Sequence, residues 1–197
     1  MANKLIIDFL GTFIDAQAII QAVEGQSPVD AQHTCLSLPE ILAAAEDKSK
    51  THVLKKLSRL LKDKPLAFKP LQPLIQNLKI LKNAGFQLGL FAPRAIASAK
   101  KICAEYDSNL FDFIEGDVSF FSGEASLGRV LKKQAIKPAD VFYLSGTMSG
   151  LALARQIKIN TIAHGWGLDS LEDLQKTRPT YAIVSPGELL TVMTEQL

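Results

Sequence analysis

Cysteine is scarce in this chain, with only Cys35 and Cys103 among 197 residues. Their separation matches no metal-ligand spacing, so a zinc module is not indicated, nor is a small fold stapled by disulfides. Both read as reduced, partly buried thiols. A disulfide between them is compatible with the sequence, and nothing requires one. An excess of charge of one sign is also missing. The formal net charge is +2, and no basic cluster marks a nucleic-acid partner. No apolar run is long enough to span a membrane. Lys4 precedes only a few apolar residues, too few for the apolar segment of a signal peptide. The expectation is a cytoplasmic protein that touches neither membrane nor nucleic acid. Internal repeats and low-complexity segments are absent as well, which sets aside repeat architectures.

What is present suits an ordinary globular domain: 47% hydrophobic and 21% charged residues, in a length that fits one core with a modest insertion. Leu5 to Ile7 form an apolar run that leads straight into Asp8, the pattern of a buried parallel strand. Asp8 then falls at the strand's carboxyl end, where open α/β sheets place their ligands. Gly11-Thr12 follow as a turn. Further strands are expected at Phe86–Phe91, Phe113–Glu115, Val141–Leu144, Ile159–Ala163 and Tyr181–Val184. Between them the apolar spacing predicts helices over 70–84, closed by Gly85, and over 94–106, 125–134 and 148–156. A last helix should open at Ser185-Pro186, with Pro186 in its first position. Strands alternating with helices predict an α/β fold, a Rossmann-like three-layer sandwich with a mostly parallel central sheet.

Residues 16–66 break that alternation. Ala16, Ile19, Ile20 and Val23 share one helical face; Leu38, Ile41, Leu42 and Ala45 share another; Val53, Leu54, Leu57, Leu60 and Leu61 share a third. No strand lies among them. The expected division is a core of residues 1–15 and 67–197, with 16–66 a small helical cap inserted over the sheet end.

The stretch Lys4 to Asp15 resembles the first motif of the haloacid dehalogenase-like hydrolase superfamily, an apolar strand followed by Asp-x-Asp-Gly-Thr. Here it reads Asp8-Phe9-Leu10-Gly11-Thr12. The resemblance continues through Pro70-Leu71 to Phe91, and through the tail Ile159 to Gly167, Ser170 to Leu174 and Tyr181 to Leu190. That tail is similar to the phosphoglycolate-phosphatase-type branch, which also carries a helical cap between its first and second motifs.

The resemblance implies an aspartyl-phosphate mechanism, and the motifs meet its requirements only in part. Asp8 stands where the family has its nucleophile. Leu10 stands at the general acid/base position and can neither donate nor accept a proton. The second motif should end in Ser or Thr, and Phe91 is followed instead by Ala92-Pro93-Arg94. The fourth motif should carry two acidic residues for Mg²⁺, and Gly146 and Gly150 occupy those positions. Asp8 is then the one motif carboxylate left for a metal, a weak ligand set for an ion that demands near-octahedral oxygen. Gly11, Thr12, Arg94 and Lys132 are the candidates for binding substrate phosphate. The third-motif register falls near Phe121-Ser122, with Arg129, Lys132 and Lys133 on the following helix as substitutes. Other roles compete at each place. Asp8 is equally readable as an acceptor for the backbone of the Gly11-Thr12 turn. Ser145, Thr147 and Ser149 suit helix capping. His164 and Trp166 sit after a strand, where packing is commoner than function. His33 and His52 lie in the insertion and do not suggest a metal site.

Three functions are therefore expected, in this order. The first is a scaffold, binding or regulatory protein without phosphatase activity, meeting a protein partner through the helical insertion and needing no cofactor. The alternative is a weak phosphomonoester phosphatase with Asp8 as nucleophile, using Mg²⁺, and requiring a carboxylate such as Asp15, Glu115 or Asp117 near Asp8. The third is a metal-free dehalogenase-like hydrolase, with Leu10 at that enzyme's Tyr position. Substrate, partner and oligomeric state are not written in the motifs.

Overall fold

A computed structural model describes residues 3–16, 18–19, 59–93, 95–116 and 123–195. Most of the expected cap lies outside the described residues, as do Cys35, Arg94, Asp117, Phe121 and Ser122. Six strands are described: β1 Lys4–Asp8, β2 Gln87–Phe91, β3 Phe113–Glu115, β4 Val141–Ser145, β5 Asn160–His164 and β6 Tyr181–Ile183. They form one parallel sheet in the order β3-β2-β1-β4-β5-β6. The expected α/β sandwich is what the chain adopts.

Strand sequence sets the two faces, because alternate side chains point to opposite sides. Leu5, Ile7, Leu88, Leu90, Phe142, Leu144 and Ile162 belong to one buried cluster. Helices α1 (Gln72–Asn83), α2 (Ile96–Tyr106) and α6 (Glu188–Thr194) cover it with Leu74, Leu78, Ile102, Leu189 and Met193. Ile6, Phe91, Phe113, Val141 and Tyr143 face the other way. There α3 (Gly123–Lys133) and α4 (Met148–Gln156) supply Leu127, Val130, Leu131 and Ala154. Cys103, on α2, is a free and buried thiol. Among the described residues, no helix is long and apolar enough to cross a membrane.

Element ends follow local chemistry. Gly85 closes α1 at φ +90°, in the left-handed region that favours glycine. The last helix begins at Glu188, later than the Ser185-Pro186 opening its sequence predicts. Ser185 and Pro186 are spent on the turn: their carbonyls accept Glu188 N–H and Leu189 N–H. The Glu188 carboxylate accepts from Val184 N–H and the Ser185 hydroxyl. A short helix, α5 (Leu171–Lys176), is additional. Ser170 caps it by accepting Asp173 N–H at 3.2 Å and donating to Asp173 Oδ2 at 2.8 Å.

Candidate functional site

The chain fills the sheet outward from β1, first towards β3 and then, from β4, in the opposite direction. The β1–β4 boundary is therefore the topological switch point, and a crevice is expected beyond its carboxyl ends. The last residues of these two strands meet there: Ser145 Oγ donates to Asp8 Oδ2 at 3.0 Å. Asp8 is half-buried and Ser145 fully buried.

Burial pushes the Asp8 carboxyl from 3.8 up to about 6, while hydrogen bonds from Ser145, Tyr143 and the Phe9 backbone pull it back. At pH 7 the group is mostly a carboxylate. Burial and the Asp8 charge hold the Tyr143 phenol well above its ordinary 10, so it stays a neutral donor. The donors to Asp8 thus come mainly from β4, whereas the sequence pointed to the Gly11-Thr12 turn. That turn does other work. Phe13 N–H closes it on the Asp8 carbonyl oxygen at 3.2 Å. Gly11 has φ +72°, and a Cβ there would lie 2.6 Å from Leu168 Cγ, so conformation and space both require glycine.

Thr12 is fully buried and ties three segments together. Its Oγ1 accepts Gly146 N–H at 3.1 Å and lies 2.8 Å from His164 Nε2. His164, the last residue of β5, is fully buried and stacks on Trp166 with ring centroids 4.0 Å apart. Burial lowers its pKa to about 3, which keeps the imidazole neutral. His164 Nδ1 and Trp166 Nε1 are buried without a hydrogen-bond partner among the described residues.

The positions that the resemblance assigns to catalytic groups are filled. Leu10 packs half-buried against the main core. Ala92 is fully buried, and its N–H donates to the Glu115 carbonyl at 2.8 Å. A Cβ on Gly146 would fall 2.4 Å from both His164 Cε1 and Gly167 Cα. A Cβ on Gly150 would fall 2.4 Å from Ser145 Oγ, 2.8 Å from Thr147 Oγ1 and 3.0 Å from Asp8 Oδ2. Neither glycine leaves room for an acidic side chain without rearrangement. Among the described residues, no three His, Cys, Asp or Glu side chains are placed to hold a metal ion. Mg²⁺ needs several oxygen ligands in octahedral array; one carboxylate whose Oδ2 is already engaged by a hydroxyl does not fit it.

Of the sequence-predicted site residues, Asp8, Gly11 and Thr12 all lie at the carboxyl end of β1, with the Thr12 hydroxyl spent on Gly146 and His164. Lys132 is exposed in the last turn of α3, from which the chain re-enters the sheet at Val141, the end of β4 opposite Ser145. Arg94 lies outside the described residues. Glu115 is engaged by Lys133 at 2.5 Å. Sequence reasoning passed over Asp169, whose Oδ2 accepts Met148 N–H at 2.6 Å at the start of α4; burial raises its pKa. Its loop is stitched to the fourth motif, with Leu168 N–H and Asp169 N–H both donating to the Gly146 carbonyl at 3.0 Å. The tail's resemblance runs to Gly167 and resumes at Ser170, leaving Leu168 and Asp169 between its two segments.

No family model matches the chain. It is 22% identical, over 207 aligned residues and 98% of each protein, to a phosphoglycolate phosphatase from Synechococcus elongatus. Its fold is similar to a haloacid dehalogenase-like family hydrolase from Streptococcus pneumoniae (TM-score 0.75, 18% identity, 98% of this chain and 99% of that one). It is also similar to a predicted phosphatase from Clostridium acetobutylicum (TM-score 0.75, 20% identity, 99% of each chain) and to a hydrolase from Pseudomonas syringae (TM-score 0.71, 16% identity, 98% and 99%).

Proposed function

We propose, from the premise that this chain has the haloacid dehalogenase-like fold, that it is a phosphomonoester phosphatase of low turnover with Asp8 as its nucleophile. One observation carries this reading. An ionised, half-buried carboxylate stands at the carboxyl end of β1, at the switch point. The full-length similarity to a phosphoglycolate phosphatase supports it.

In this reaction an Asp8 carboxylate oxygen attacks phosphorus, and the bond from phosphorus to the alcohol oxygen breaks. The leaving alkoxide takes its proton from solvent, because Leu10 has none to give. Water then cleaves the aspartyl-phosphate, releasing phosphate and restoring Asp8. The lost general acid alone costs a factor on the order of 10²–10⁴ in rate.

A second reading, a scaffold, binding or regulatory protein without turnover, is favoured by the filled places at Gly146 and Gly150. It includes the partner surface expected on residues 16–66. The comparisons favour the phosphatase over this second reading. The deciding assay uses p-nitrophenyl phosphate and a panel of small phosphomonoesters that includes phosphoglycolate. Wild type is run beside Asp8→Asn, with and without Mg²⁺. Turnover that disappears in Asp8→Asn is the expected outcome. A wild-type rate equal to that of Asp8→Asn would replace the first reading with the second.

A further inference from the structure

We propose that Ser145 is a positioning residue that holds the Asp8 carboxylate in place of a cation, and that it and an acidic side chain at position 150 exclude one another. The proposal rests on Asp8 as the centre of the site, and does not rest on turnover.

The hydroxyls at the end of β4 form a directed chain. Gly150 N–H donates to Thr147 Oγ1 at 3.1 Å. Thr147 Oγ1 lies 3.1 Å from Ser145 Oγ, which also accepts Thr147 N–H at 3.2 Å. Ser145 Oγ donates to Asp8 Oδ2 at 3.0 Å. A carboxylate only accepts, so the single Ser145 proton points to Asp8, and the Thr147 proton must then point to Ser145. Two amide donors at the start of α4 are in this way relayed through two hydroxyls onto one carboxylate oxygen. The start of a helix carries a partial positive charge, equivalent to roughly half an elementary charge. The relay brings that polarity to Asp8 through the protein's own groups.

Capping alone does not explain Ser145. Thr147 already caps α4 through Gly150 N–H. Ser145 is fully buried, and its one proton is spent on another strand. Its oxygen also stands 2.4 Å from where a Cβ on Gly150 would be, and Asp8 Oδ2 stands 3.0 Å from the same point. The space into which a second carboxylate would project is therefore filled first by the Ser145 hydroxyl, with Thr147 Oγ1 beside it at 2.8 Å. Removing the Ser145 hydroxyl should relieve the tightest of these contacts.

The test combines the electron paramagnetic resonance signal of free Mn²⁺ with thermal unfolding. It compares wild type, Asp8→Asn, Ser145→Gly, Gly150→Asp and the double variant Ser145→Gly/Gly150→Asp. Wild type should leave the free Mn²⁺ signal unchanged at equimolar protein. Gly150→Asp should lose Tm or fail to fold, and adding Ser145→Gly should recover most of that loss. The double variant, with carboxylates at 8 and 150, should withdraw Mn²⁺ from solution. Withdrawal of Mn²⁺ by wild type, absent in Asp8→Asn, would overturn the proposal. So would a double variant whose Tm loss is the sum of the two single losses, or one that fails to fold, or one as silent towards Mn²⁺ as wild type. These outcomes are separate from the phosphatase assay, since phosphate release and Mn²⁺ uptake are read independently in the wild-type protein.

Discussion

The ends of β1 and β4 lie side by side and have fared differently. At the end of β1 the acidic residue is kept, and it is poorly solvated: burial lifts Asp8 to about 6 despite three hydrogen-bonding partners. At the end of β4 both acidic positions are glycine, and the structure around them is well satisfied. Gly146 N–H is paired with Thr12, the Gly146 carbonyl with Leu168 and Asp169, and Gly150 N–H with Thr147. A buried charge without a full set of partners is costly, and a buried amide with a partner is not. The difference teaches that the β4 end is a packed structural corner, while at the β1 end burial works against an ionised carboxylate, the kind of perturbed group that also concentrates at functional sites.

Reinstating an acid in the packed corner should break the contrast most severely. Gly146→Asp drives a Cβ to 2.4 Å from Gly167 Cα, a backbone atom that cannot swing away as a side chain can. We expect a loss of about 3 kcal/mol in denaturant unfolding, the upper end of the usual range for overpacking with backbone shifts. A loss below about 1 kcal/mol, within the range of a tolerated swap, would mean that the corner is looser than its contacts indicate.

Removing the charge at the other end should do the reverse. Folded Asp8 keeps its proton up to about 6, whereas in the unfolded chain it ionises near 3.8. Between those values the folded state holds the extra proton, so the stability Asp8 contributes is fully present below pH 4 and is lost as pH rises through 6. Each pH unit of displacement is worth about 1.4 kcal/mol; with Asp8 half-buried, we expect Asp8→Asn to be more stable than wild type by roughly 2 kcal/mol at pH 8. At pH 4 the gain should vanish. Equal stability of the two proteins at pH 8 would remove the strain from the β1 end, and the comparison with it.

The scaffold was far more legible than the site. Continuous apolar runs and helical spacing are local and repeated, so, among the described residues, the six strands and five of the helices α1 to α6 were in view. Helix α5 had only its Ser170-x-x-Asp173 cap as a signal, over six residues. The shift of the last helix to Glu188 reflects a side chain folding back on Val184 and Ser185. Four replaced positions, Leu10, Ala92, Gly146 and Gly150, were readable as losses because the resemblance supplied a template. What occupies their space was not readable. Ser145 lies 137 residues from Asp8, and His164 lies 152 residues from Thr12. Sequence period carries no information about which distant side chains converge where strands end. Asp169 was missed for the same reason, since its partner Met148 belongs to another element.

Thr147 separates a structural corner from one that serves Asp8. As a simple N-cap it accepts Gly150 N–H, and Thr147→Ala should cost about 1 kcal/mol at any pH. As a link in the relay, it also polarises the Ser145 hydroxyl that donates to Asp8. A charged acceptor draws more from such a chain than a protonated one does, and hydrogen bonds in series strengthen one another by roughly 10–30%. Unfolding of Thr147→Ala followed at pH 4 and at pH 8 should therefore show a cost ~0.3 kcal/mol larger at pH 8. The double variant with Asp8→Asn should lose that increment and keep the capping cost. An equal cost at both pH values would confine Thr147 to the cap. The polarity of α4 would then end at its own first turn, and the β4 end would owe nothing to the carboxylate beside it.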